Sequence, residues 1–199
     1  MNKREQNKID KRKRILDASF NLFSTVGYSK TSIDQIINDA NVAKGTFYLY
    51  FKDKSDLYDN LIIKIANDIF KDAAFLTSGK YNNYTDRFIK IVDIIIDIFD
   101  KNPNTLIVIK KNLSWELINR AIQHPYNHKV RQLIIDFKSY VVDLGFSEYS
   151  SNQLLYMIVD IVVSVSYSSL IIDKLNTSDF KPLIRSSIKA LIHQNQIVI

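Results

Sequence analysis

Apolar residues recur every three or four positions along nearly the whole chain, and nowhere do they alternate as a strand requires. From Lys8 to Val26 the positions Ile15, Ala18, Leu22, Phe23 and Val26 share one helical face, and Gly27 ends that helix as a C′ residue does. Thr31 offers the next N-cap with Asp34 three residues on, a start resembling a capping box. Ile33, Ile36, Ile37 and Ala40 then form the buried side of a short helix. Asn41, a residue that tolerates a left-handed turn, leads to a third helix over Lys44 to Phe51. Asp53 caps a fourth, with Asp56 at its N3 position favourable to the helix dipole.

Beyond Leu57 the helices lengthen. Leu61, Ile65, Ile69 and Phe70 support one that ends before the polar stretch Thr77 to Tyr84. Phe88, Ile91, Ile95, Ile98 and Phe99 support the next, stopped by Asn102 and Pro103. Shorter helical pieces fit Asn104 to Gln123, His124 and Pro125 break the chain, and Val130 to Leu144 resumes it until Gly145. A nearly continuous apolar helix runs from about Ser151 to Leu175, and a last amphipathic one uses Phe180, Leu183, Ile184, Ile188, Leu191 and Ile192. The pattern predicts an all-α fold of about nine helices without an internal repeat. The segment Leu154 to Ile172 is long enough to span a bilayer. Asp160 near its middle would cost about 2.5–3.5 kcal/mol on insertion, and no positive flank sets an orientation. The expectation is a core helix of a soluble protein, with no membrane partner.

Composition narrows the class. Of 199 residues, 46% are hydrophobic and 24% charged, the balance of a chain that buries a core. With 11 Phe and 11 Tyr, disorder throughout is excluded. The absence of cysteine removes a disulfide scaffold, a thiolate zinc site and a cysteine nucleophile, and fits a reducing, cytoplasmic setting. Charge is uneven: residues 1–54 hold 11 Lys and Arg against 6 Asp and Glu, whereas residues 55–199 hold 16 against 15. Most of the excess lies in Lys3, Arg4, Lys8, Lys11, Arg12, Lys13 and Arg14, which points to a polyanion or to a solvated tail. No apolar run follows it, so it does not read as an export signal.

The segment Thr31 to Phe51 carries the most specific signal. Two short helices joined by a tight turn have the geometry of a helix-turn-helix. On the second, Phe47, Tyr50 and Phe51 share the inner face, while Gly45, Thr46, Tyr48 and Leu49 face outward. That outward set suits a major groove: Gly45 admits close backbone approach, Thr46 bonds to base or phosphate, and Leu49 meets a thymine methyl. Tyr48 and Lys54 suit phosphates.

These residues resemble a known family. Arg14-Ile15-Leu16-Asp17-Ala18 through Phe23, Gly27-Tyr28, Thr31-Ser32 and Ile36 are similar to the start of tetracycline-repressor-type (TetR family) regulators, as is Val42-Ala43-Lys44-Gly45-Thr46-Phe47-Tyr48-Leu49-Tyr50-Phe51-Lys52-Asp53-Lys54 followed by Leu57. The resemblance covers residues 10–60 closely. It implies a homodimeric transcriptional repressor, with a DNA-binding domain over residues 1–54 and an effector-binding and dimerisation domain over residues 55–199. Carried over, Thr31, Ser32, Lys44, Thr46, Tyr48, Tyr50 and Lys54 match positions that usually touch DNA, with Tyr50 ranked last because its helical position is inward. Three departures stand out. Asn41 replaces the usual Gly, Ile37 a small Ala, and Ala43 a capping Ser or Thr, whose loss costs about 1 kcal/mol.

The resemblance gives the basic residues 3–14 a place as a tail before the first helix, along a phosphate backbone or in a minor groove. The last two helices are expected to pair as an intersubunit four-helix bundle, setting two recognition helices about 34–36 Å apart on a palindromic operator. An apolar or amphipathic small-molecule effector is expected in the C-terminal core, with Phe99, Trp115, Phe137, Tyr140, Tyr156 and Asp160 as its candidate contacts. Asp160 reads either as a counter-charge for a cationic ligand or as a paired or edge-exposed acid at the dimer seam. His124 and His128 have metal-like spacing, but Pro125 between them breaks the helix, so neither a metal nor another cofactor is expected. Asp93, Asp97 and Asp100 read as a solvated face near Lys90 and Lys101. No phosphate loop, nucleophile elbow or ligand cluster suggests an enzyme. The alternatives are a DNA-binding protein of the same architecture without an effector, and a peripheral membrane protein using its basic end.

Overall fold

The computed structural model describes residues 2–77, 79, 81, 83–110, 120 and 128–193. The described residues form nine helices and no strand: α1 (Lys3–Thr25), α2 (Ile33–Asp39), α3 (Lys44–Tyr48), α4 (Lys54–Thr77), α5 (Tyr84–Lys101), α6 (Pro103–Lys110), α7 (His128–Asp143), α8 (Glu148–Ser166) and α9 (Thr177–His193). The chain divides into two compact units, Met1–Ile65 and Ala66–Ile199. The seam thus lies inside α4, beyond the 54/55 boundary read from sequence. Its first turns belong with unit 1 because Leu57, Tyr58, Leu61 and Ile62 are buried there, Tyr58 against the rings of Phe23 and Tyr28.

Unit 1 closes around aromatic rings. Phe23, Tyr28 and Tyr58 stand with centroids 4.9–5.5 Å apart, and Phe47 lies 5.8 Å from Phe51. Burial pushes the Tyr58 hydroxyl pKa up to about 12. Gly27 (φ 92°) ends α1 in the left-handed region, and Asn41 (φ 49°) makes the turn between α2 and α3 without needing the family's glycine.

Three local features depart from the sequence reading. Basic residues 3–14 are not a tail but the first turns of α1, started by a capping box in which the Asn2 side chain and Glu5 satisfy each other's backbone amides. Lys, Arg, Gln and Glu are all good helix formers, so the helix needs no apolar stripe to begin. Ser32, not Thr31, caps α2, its Oγ accepting from the Gln35 amide at 3.2 Å while Gln35 Oε1 accepts from the Ser32 amide at 2.8 Å. And α3 stops at Tyr48 rather than Phe51. Phe51 turns into the core, and Asp53 begins α4 by accepting from the Asp56 amide at 2.8 Å.

Unit 2 buries mostly branched aliphatic residues, with Phe88, Phe99, Phe137, Phe146 and Phe180 among them. α8 is long and apolar enough, with its continuation to Ile172, to cross a bilayer by length and composition. It buries Leu154, Leu155, Ile158, Val162 and Val163 in the unit's interior. At Tyr167 the α-helix widens into a π-helical run to Ile172.

α9 lies against α5 through three ion pairs. Arg185 Nε and Nη2 donate to the two carboxylate oxygens of Asp93 at 2.8 and 2.9 Å. Lys181 pairs with Asp97, and Lys189 stands 3.9 Å from Asp86. Asp93 is therefore not on a solvated face, being 6% exposed and held by an arginine four residues beyond Lys181, whereas Asp97 is paired but half-exposed and Asp100 is exposed as expected. The hydrogen bonds to Asp93 raise the Arg185 guanidinium's pKa further.

Candidate nucleic-acid interface and apolar cavity

A short helix shows a polyanion only what its turns leave outside. In unit 1 α3 buries Phe47 completely and Phe51 follows it inward, so Gly45, Tyr48 and Leu49 stand at the surface, Leu49 79% exposed, with Thr46 half-buried beside them. A large apolar residue that exposed, next to a hydroxyl and a phenol, is the composition of a base-reading surface rather than of a core. The α3 N-terminus has no side-chain cap: Ala43 supplies none, as its departure from the family's Ser or Thr predicts. Ser32 is exposed at the start of α2.

The remaining candidates are more committed. Lys44 is exposed but donates to Asp34 at 2.8 Å, a contact that also raises its pKa. Thr31 is buried and donates its hydroxyl to the Gly27 carbonyl at 2.8 Å, so it braces the turn after α1 instead of facing solvent. Lys54 Nζ donates to the carbonyls of Tyr28 and Thr31 at 2.9 and 2.8 Å and sits 4.5 Å from the Tyr28 ring centroid. That lysine ties the start of α4 to the loop between α1 and α2, and so holds the recognition frame from behind. Tyr50 is half-buried, in keeping with its inward position. Arg12 has a role that its place in the basic run does not distinguish. Its guanidinium lies 5.5 Å from the Phe51 centroid and donates to Asn60 Oδ1 at 2.9 Å, fixing α1 to α4 inside unit 1.

Unit 2 contains a cavity of about 80 Å³ walled only by apolar side chains. Phe88 and Phe137, stacked with centroids 4.5 Å apart, and Phe99 contribute aromatic walls; Ile69, Ile91 and Val162 are among the aliphatic ones. Of the six effector candidates, Phe99 and Phe137 face this space. Tyr140 does not: it stacks on Tyr84 at 4.9 Å and shares a 2.6 Å hydrogen bond with Thr85. Tyr156 and Asp160 are on the exposed side of α8, Asp160 3.4 Å from the Ser164 hydroxyl that Lys110 also reaches. Asp160 is thus an edge-exposed acid and no counter-charge within the cavity. Trp115 and the His124 and His128 side chains lie outside the described residues. Among the described residues no group of three His, Cys, Asp or Glu side chains could hold a metal. Sequence reasoning favoured aromatics as lining and missed the branched aliphatic walls. The periodicity that marks Ile69, Ile91 and Val162 as core does not tell a filled core from a hollow one.

Known proteins bear on both regions. Residues 15–61 match the family model for bacterial regulatory proteins, tetR family. The HTH-type transcriptional regulator YhgD of Bacillus subtilis is 28% identical over 144 residues, 68% of this chain and 69% of that one. The icaADBC biofilm operon's negative transcriptional regulator IcaR of Staphylococcus aureus is 27% identical over 89 residues, 44% of this chain and 47% of IcaR. Across 90% of this chain and 96% of the other, the fold matches the transcriptional regulator FadR of Bacillus subtilis, solved with stearoyl-CoA, at a TM-score of 0.65 and 17% identity.

Proposed function

We propose that the chain, a TetR-family helix-turn-helix transcriptional regulator, works as a homodimeric repressor released from a palindromic operator by an apolar or amphipathic effector. One observation carries the DNA reading: Gly45, Thr46, Tyr48 and Leu49 are presented outward from a helix whose other face is locked into an aromatic core. Thr46 and Leu49 read base edges, with Gly45 giving the backbone access, and Tyr48 binds phosphate. Ser32 and Lys44 bind phosphate, and Lys44 exchanges Asp34 for it. Tyr50 acts at the margin of this surface, and Thr31 and Lys54 hold its frame. A negative regulator among the relatives supports repression.

Dimerisation is supported by apolar side chains left exposed on α8, the π-helical run and α9: Met157 (46%), Ile172 (64%) and Leu183 (64%). Two such helix pairs meeting about a two-fold axis would bury them in a four-helix bundle. The effector reading rests on the apolar cavity and on a structural neighbour that holds an acyl-CoA. An acyl or other hydrocarbon group fits walls that offer no hydrogen bond, while a charged group there would stay unpaired at high cost. The effector lifts repression only by its differential affinity for the two domain arrangements.

The test is selection from a randomised duplex-DNA pool by the wild-type chain and by a Thr46→Ala/Tyr48→Ala variant. The expected result is a palindrome with half-sites about one helical turn apart, enriched by the wild type and lost by the variant. No enrichment by the wild type would overturn the reading.

A further inference from the structure

We infer that the first three turns of α1 form a rigid cationic arm that grips the DNA phosphate backbone outside the grooves. The inference rests on the DNA-binding reading above and adds a second contact surface to it.

The helix rather than a tail carries the argument. Residues 3–14 are all exposed, and burial in α1 begins only at Ile15, so about 18 Å of helix stands beyond the packed part of unit 1. Arg4, Lys8 and Lys11 fall at i, i+4 and i+7, and Ile15, Ala18 and Leu22 continue the same stripe. Ile15 and Ala18 are buried and Leu22 is half-buried. The cationic heads therefore prolong the very face by which α1 packs into the unit that carries α2 and α3. Lys3 and Arg14 flank the stripe on one side. Among the described residues none of these five is paired with a carboxylate: Asp10 accepts from Gln6 and Glu5 caps Asn2. Arg12, by its contacts with Phe51 and Asn60, clamps the base of the arm.

Shape chooses the DNA feature. An α-helix with side chains is about 10–12 Å across, whereas the minor groove of B-DNA is about 6 Å wide. A helical arm cannot lie in that groove as an extended tail does; the major groove would admit a helix, but the reading surface of this unit is on α3, and a stripe of lysine and arginine heads suits the phosphate backbone. A lipid surface fits poorly, because insertion needs an apolar face and Ile9 is the one large apolar residue between Lys3 and Arg14. Lysine and arginine heads without a reading partner add affinity and salt dependence but no base preference.

The test uses the full chain and a mixed-sequence duplex of about three helical turns. The slope of log K against log salt is measured for the wild type, for Lys3→Gln/Arg4→Gln/Lys8→Gln/Lys11→Gln, and for Asn7→Pro, which keeps the charges but breaks the helix. We expect the slope magnitude to fall by about 3–4 for each bound chain in the quadruple variant, about 0.9 for each phosphate that is no longer neutralised. It should fall by less in Asn7→Pro, while the sequence selected from a random pool stays the same in both. Equal slopes in wild type and quadruple variant would overturn the inference and leave the DNA reading standing; a wild type that binds no duplex would overturn that reading instead. An Asn7→Pro slope equal to wild type would mean a flexible arm, contrary to the proposal. Loss of sedimentation with phosphatidylserine vesicles in the quadruple variant, with the DNA slope unchanged, would assign the arm to a membrane.

Discussion

Unit 1 and unit 2 keep different things dry. Unit 1 is closed by large rings, with Phe47, Phe51 and Tyr58 almost fully buried, and it turns its unspent polar groups outward. Unit 2 sets branched aliphatic residues and a few phenylalanines around a hollow, and it folds charge inward along the α5–α9 seam. A unit that reads a polymer needs a stiff frame under a small exposed surface. A unit that takes up a small molecule needs an interior that packing has left incomplete, and interiors are otherwise as dense as organic crystals. The contrast matches the proposed division of function, with DNA on the outside of one unit and an effector on the inside of the other.

Volume changes test that contrast most severely. Phe47→Ala removes a fully buried ring from the closed core and is expected to cost about 3–5 kcal/mol, seen as a lowered midpoint in urea unfolding and as loss of duplex binding. A cost under about 1 kcal/mol would mean that unit 1 is not the closed frame described. Next comes charge. Asp93→Asn weakens a bidentate pair whose acid is buried and whose arginine is partly exposed; the expected loss is about 1–3 kcal/mol, read by thermal melting. No loss would make the α5–α9 ladder ornamental. The smallest effect is expected where the cavity accepts added volume. Val162→Leu places one more methylene beside the hollow and should change stability by less than about 1 kcal/mol, whereas the same addition to a filled core costs about 1–3 kcal/mol. A penalty in the upper range would show that the hollow closes in solution.

The legible part of the site was the part that depends on spacing. Phe47 inward and Leu49 outward follow from 100° per residue on a short helix, and Asn41's left-handed turn follows from residue type. The roles of Thr31 and Lys54 were not legible. Both match positions that usually touch DNA, and only the carbonyls of Gly27, Tyr28 and Thr31, brought near by the fold, reveal that these side chains point inward. Similarly, i,i+4 spacing of Lys181, Arg185 and Lys189 marks a basic face on α9, but nothing in α5 alone says that Asp97, Asp93 and Asp86 meet it.

Local sequence therefore determined the helices, most of their caps, the aromatic face of the recognition helix and the excess of cations near the start of the chain. Each of these is set by interactions within about one helical turn or by residue chemistry alone. Tertiary structure decided which exposed groups remain unspent, which carboxylates are neutralised across a helix pair, and where the core stays hollow. Those outcomes depend on which atoms distant in the chain come within bonding distance, and periodicity carries no record of that.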